Sequence, residues 1–288
     1  MVPSNGSSIA PSKCTDAAGT FGPVVSYRAA GKDEVKRCFL TCYNVIATGH
    51  PASREINDSR GIGINGREVG CQIDVDHPSK YDVIETRRIH MARMEKGEGY
   101  EEDIEVIRRL DEIAAQGPIG QVKFASGYRL TDKNHRMDWA LIELDPARPV
   151  QNLLPMKNQF KMRCFHGVPA YRVQEGDTVS GTNDTFNSRW YGKVGRTSRC
   201  TGAEQSLIKR AIAWDDGTVS HEYEFRSAGS GDRFAQVGDS GSLVFNLEKE
   251  WVGMLFAMER SAGIGFVTPV FELLRDIEET IGGTITLA

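Results

Sequence analysis

The chain has 288 residues, 40% hydrophobic and 26% charged, enough for one large domain or two lobes that each bury a core. Its 35 basic and 39 acidic residues nearly balance, so no long-range attraction toward nucleic acid or an anionic membrane surface is expected. No apolar run reaches the 18 or more residues that a membrane-spanning helix needs, so no membrane partner is expected either.

The opening residues Met1 to Ser8 lack the basic start and apolar middle of a signal peptide. They predict a polar, mobile tail over residues 1–19 of an intracellular protein, cytoplasmic or nuclear. Six cysteines (Cys14, Cys38, Cys42, Cys71, Cys164 and Cys200) show no metal-ligand spacing, so neither a metal nor a cofactor is expected. Along a strand Cys38 and Cys42 would stand about 13 Å apart, beyond disulfide reach. Reduced, buried thiols are the expectation, in keeping with an intracellular setting.

Residues 22–28 and 36–46 have the β-rich character of two early strands, and Asn65-Gly66, within residues 61–74, marks a hairpin. The exception in this half is residues 100–116, where Ile104, Ile107, Leu110 and Ala114 recur at helical spacing. That segment opens on Glu101-Glu102-Asp103 and stops at Gly117-Pro118, predicting one amphipathic helix with a solvated charged face. Strand pattern resumes at residues 121–128. The apolar run Trp139 to Leu144 is too short and too abruptly ended by Asp145-Pro146 for a helix, so a core strand is expected with Asp138 at its entrance.

Residues 146–154 read as a connector, and a second β-rich half begins near Asn158. Residues 176–181, 192–198 and 223–225 have the short strands and close turn spacing of a barrel or sandwich. The chain closes on a helix whose apolar positions are Val270, Leu273, Leu274 and Ile277, with Thr268 as cap and Pro269 at the first position.

Between these elements lies Gly238-Asp239-Ser240-Gly241-Ser242, ahead of the buried-strand pattern Leu243-Val244-Phe245. A serine between glycines suits an ordinary hairpin turn. It equally suits a hydroxyl on a tight turn whose amides face a substrate oxygen. The order of features, Asp138-Trp139-Ala140-Leu141-Ile142 in one β-rich half, Gly238-Asp239-Ser240-Gly241 in the next, then a terminal helix, resembles the trypsin-like, chymotrypsin-fold serine peptidases. The branch it resembles is their intracellular, disulfide-free one, over roughly residues 20–282.

That resemblance implies an all-β fold of two antiparallel, six-stranded barrels, residues 20–149 with the helical insertion and 150–288 with the C-terminal helix. The cleft would lie between them. By the family pattern Ser240 is the nucleophile, Asp138 the buried acid, and the amides of Gly238 and Ser240 the oxyanion hole. The histidine position falls on Asn44, at the end of Leu40-Thr41-Cys42-Tyr43. A carboxamide has no useful basicity, so loss of the imidazole should leave a remnant of roughly 10³ to 10⁴ over water. His135, three residues before Asp138, and His50 are the candidate substitute bases; His77, His90, His166 and His221 read as structural or surface residues.

The resemblance places Phe234 at the floor of the primary specificity pocket, with Phe256, Met258 and Gly265 on its walls. Phe234 and Met258, both bulky and apolar, disfavour a Lys or Arg side chain there unless Glu259 swings in. Two functional readings compete: a pseudopeptidase that binds a peptide or protein in the cleft, and an active serine endopeptidase using a displaced base. The oligomeric state is open. No Ile-Val-Gly-Gly-like start occurs near residue 20, so a single-chain form that needs no N-terminal processing is expected.

Overall fold

The computed structural model of the protein describes residues 3–64, 72–154, 173–174, 176–229 and 233–288. The second β-rich half closes into a barrel of six antiparallel strands. Tyr191–Gly195, Arg199–Gln205, Val219–Ser227, Ile264–Pro269, Glu250–Glu259 and Leu243–Asn246 pair in that order, and the last returns to the first. Closure buries the strand edges and gives every residue of Leu243–Asn246 a buried position. The strands Arg199–Gln205 and Arg210–Ala213 were not readable from their mixed polar sequence, which carries no clean alternation.

The first half is a curled sheet rather than a second closed barrel. Its order is Thr284–Leu287, Val24–Arg28, Val35–Thr41, Ala140–Leu144, Gly120–Ala125, Asp74–Asp76, Ser8–Pro11 and Gly19–Thr20, and no pairing among the described residues joins its ends. Two strands come from outside the expected boundaries. Ser8–Pro11, expected in a free tail, pairs with Gly19–Thr20 and Asp74–Asp76, because Ile9 and Ala10 supply apolar side chains that the sheet buries. Thr284–Leu287 crosses from the end of the chain to pair with Val24–Arg28. The expected Asn65-Gly66 hairpin lies outside the described residues.

The strand expected over residues 36–46 stops at Thr41, and a short helix, Tyr43–Ile46, follows. The predicted insertion helix is Glu101–Ala114. A second helix, Lys80–Glu95, precedes it, so the insertion holds two helices rather than one. No residue of Lys80–Glu95 is buried, which is why hydrophobic periodicity missed it; Ser79, whose side chain accepts from the Asp82 amide, was the readable signal. The terminal helix runs Val270–Ile281 and starts one residue late, because Thr268 and Pro269 still pair with Met254 and Gly253.

Three apolar clusters hold these parts. One fills the curled sheet around Phe21, Phe39 and Ile142, and one fills the barrel around Tyr191, Phe225 and Val244. The third joins both sheets to the terminal helix through Trp139, Trp190, Phe245, Trp251, Leu273 and Ile277. Trp139 also donates its indole N–H to Asp276 of that helix at 2.7 Å, and Arg129 pairs with the same carboxylate. Among the described residues no helix is long and apolar enough to cross a membrane.

At the seam Gly22 lies against the carbonyls of Gly241 and Leu40, where a Cβ would sit 2.4 Å from each oxygen. Gly22→Ala should therefore force the two halves apart locally, costing about 2 kcal/mol or more and lowering the melting temperature by several degrees. A thermal melt unchanged within a degree would contradict this packing.

Candidate active site

Ser240 lies on a turn that only glycine could flank. Gly238 and Gly241 have φ of 97° and 94°, and a Cβ on Gly241 would meet Thr41 Oγ1 at 2.3 Å. Thr20 ties the turn down from the first sheet: its Oγ1 donates to the Gly238 carbonyl at 2.9 Å and its amide to the Ser240 carbonyl at 3.0 Å. Separately, the amides of Gly238 and Ser240 make no hydrogen bond to any described residue. Two free N–H groups on such a turn can stabilise an oxyanion.

Asp239, between them, is fully buried and accepts from five donors. These are Lys193 Nζ at 3.1 Å, Ser198 Oγ at 2.6 Å, and the amides of Thr197, Ser198 and Gln236 at 2.9–3.0 Å. Burial pushes its carboxyl upward, but the Lys193 ammonium and these hydrogen bonds outweigh it and hold the pKa below the usual range. Lys193 is itself fully buried. Gly195 makes room for the pair, since a Cβ there would fall 2.4 Å from Asp239 Oδ1. Neither Lys193 nor Thr20 was singled out in the sequence; a lysine in the strand-like run Gly192-Lys193-Val194-Gly195 was the available signal.

Asp138 and Asn44 come from the first half. Asp138 precedes the strand Ala140–Leu144, and Asn44 stands in the short helix after Val35–Thr41, the strand that pairs with it. Asn44 donates its backbone N–H to Asp138 Oδ1 and its side-chain Nδ2 to Oδ2, both at 2.8 Å. Nδ2 also lies 3.1 Å from the Phe256 carbonyl and 3.4 Å from Ser240 Oγ. Ser240 Oγ donates to the same Phe256 carbonyl at 3.2 Å. That carbonyl is available because the pairing of Glu250–Glu259 with Ile264–Pro269 slips between Leu255 and Ala257.

The amide orientation of Asn44 follows from its partners. A carboxylate and a carbonyl both need a donor, so nitrogen faces them, and toward Ser240 the side chain offers an N–H and not a lone pair. Burial pushes the Asp138 carboxyl up to about 7, against the Asn44 hydrogen bonds and the Arg136 charge that pull it down.

The remaining candidates fall elsewhere. His135 is buried at 1% exposure with Nδ1 3.1 Å from Glu222 and Nε2 2.9 Å from Lys209 Nζ. Lysine only donates, so Nε2 accepts and Nδ1–H donates to Glu222, and both ring nitrogens are committed. His50 lies between two short helical turns, Ala47–Gly49 and Pro51–Ser53, with no hydrogen bond from its buried Nδ1 among the described residues. His77 is buried, His90 faces Asp103 and His221 faces Asn134; His166 lies outside the described residues.

Phe234 is fully buried and stacks on Phe225, with Met258 packed against the same cluster. A Cβ on Gly265 would come 2.7 Å from the Phe234 ring. Glu259 is held by Ser261 and the Ala262 amide in its own turn. Among the described residues no group of side chains has the arrangement of a metal site.

A description of the Trypsin family matches residues 97–277, more than half of the chain, spanning Asp138 and Ser240 but not Asn44. Protease A from Thermobifida fusca shares 13% identity over 99% of each chain, with a TM-score of 0.51, a likeness of fold. Nocardiopsis protease gives 0.49 at 13% identity over 99% of each chain. Cellulomonas bogoriensis chymotrypsin gives 0.48 at 12% identity, over 99% of this chain and 97% of that one. No curated protein matches in sequence.

Two outcomes follow from the buried charges. The Asp138 pKa is raised in the folded state, so between about pH 4 and 7 the folded chain binds more protons than the unfolded one, and stability from this group falls as pH rises. Urea unfolding at several pH values should show a downward slope of about 1.4 kcal/mol per pH unit in that window, absent in Asp138→Asn. An identical slope in both proteins would refute the assignment. Lys193→Met should strand the Asp239 carboxylate and cost about 3–5 kcal/mol, read from the same unfolding curves; a loss under about 1 kcal/mol would show that the lysine is not its counter-charge.

Proposed function

Because the chain belongs to the trypsin family, we propose that it is a pseudopeptidase, a trypsin-like scaffold that binds a peptide or protein in its cleft with little or no turnover. The observation that carries this reading is the Asn44 amide, which presents an N–H to Ser240 Oγ where proton abstraction needs a lone pair. Ser240, Asp138 and the amides of Gly238 and Ser240 stand in the roles of nucleophile, acid and oxyanion donors, without the base that would make them a catalytic unit. Asp138 cannot substitute directly, since both its oxygens accept from Asn44.

The partners of His135 and the core packing of Phe234 support the same reading. A base with both nitrogens engaged is not free to accept the Ser240 proton, and a floor filled by aromatic rings leaves little depth for a substrate side chain. Asp239 draws its counter-charge from Lys193, which supports a turn that is formed in a single chain without a cut N-terminus. Free thiols at Cys14, Cys38 and Cys42 support an intracellular setting.

Fluorophosphonate labelling tests the proposal without knowledge of a substrate. The unmodified protein should label weakly or not at all near pH 7, and Asn44→His should raise labelling by orders of magnitude. Strong labelling of the unmodified protein that Ser240→Ala abolishes would make it an active peptidase.

A further inference from the structure

We propose that a cavity beside Asn44 takes the basic side chain, lysine or arginine, of a peptide laid across the cleft, in place of the filled floor at Phe234. The inference rests on the reading of the cleft as a peptide-binding site. The cavity measures about 580 Å³ and is bordered by Asn44, Tyr128, Asp138, Trp214, Phe256 and Ala257. Phe256, whose carbonyl receives both Asn44 and Ser240, is one of its lining residues.

Charge decides what fits. Four carboxyl groups, Asp58, Asp138, Asp215 and Asp216, line the cavity against two guanidinium groups, Arg54 and Arg136. Both arginines already have a carboxylate partner. Arg54 pairs with Asp58 at 2.7 Å. Arg136 pairs with Asp216 at 2.7 Å and is held between the rings of Tyr128 and Trp214 at 4.5 and 4.6 Å. An anionic side chain would have to share an arginine with one of those carboxylates and lie near the charge of Asp215.

Asp215, by contrast, lies at the exposed rim and makes no hydrogen bond or ion pair with a described residue. A long basic side chain could pack its methylenes on Phe256, Ala257 and the edge of Trp214 while its head reaches Asp215. The cavity volume lies within the range of about 300–1,000 Å³ usual for ligand sites.

The test uses the full chain and fluorescein-labelled alanine peptides carrying a single lysine, glutamate or leucine at each position in turn, read by anisotropy. At one position lysine should bind more tightly than leucine and glutamate, with an advantage that shrinks as salt is raised. Asp215→Asn, at an exposed and unpaired site, should cut that advantage about two- to fivefold and leave the leucine peptide unchanged. Binding without a lysine preference, or a preference untouched by Asp215→Asn, overturns the cavity assignment while leaving the peptide-binding reading in place. If no peptide of the set binds, both fall.

Discussion

The buried pair of Lys193 and Asp239 is the constraint on which the site depends. Removing two charges from water costs several kcal/mol per ion after relaxation, and their mutual attraction offsets this only where the remaining lone pairs are also filled. Here four further donors from Thr197, Ser198 and Gln236 complete the carboxylate shell. The carboxylate in turn fixes residue 239 between two glycines in left-handed backbone, so the direction of the Ser240 turn is set from beneath, by groups that never touch the cleft.

The other side of the cleft is held by a different bond set. An imidazole there would give Asp138 a neighbour able to become a cation. Asn44 gives it two N–H donors and no charge, and burial outweighs these bonds and the Arg136 charge to push the carboxyl toward neutral pH. The amide nevertheless preserves the geometry. It links the Asp138 carboxyl, the Ser240 hydroxyl and the Phe256 carbonyl across the seam, so the two halves stay registered.

Much of this was legible in the sequence where local chemistry is decisive. Asp138 ahead of a short apolar strand and Ser240 between glycines are each brought within hydrogen-bonding reach of Asn44, after Leu40-Thr41. The helix at Glu101–Ala114 and the terminal helix follow from spacing. What stayed hidden depends on pairing over long separations. Ser8–Pro11 looks like a tail until it meets Asp74–Asp76, Thr284–Leu287 lies beyond the terminal helix with no assignment until it meets Val24–Arg28, and Lys193 is a polar interruption in a strand until Asp239 lies beside it. The exposed helix Lys80–Glu95 lacks the apolar stripe that periodicity detects.

Keeping the Ser240 turn does not by itself argue for catalysis, because the turn also builds the barrel. Gly241 donates to the Leu255 carbonyl at 2.8 Å and Leu255 donates back to Ser242 at 3.0 Å. Thr20 binds two of the turn's carbonyls from the opposite sheet. Loss of the turn would therefore open the seam between the halves, a structural cost borne whether or not a substrate is ever cleaved. Asn44 serves the seam as well: its amide donates to Asp138 and to the Phe256 carbonyl, and neither bond requires proton transfer. Both residues thus have structural reasons to be where they are, and on the pseudopeptidase reading proposed above it is the missing lone pair at Asn44, not the presence of the Ser240 hydroxyl, that bears on turnover.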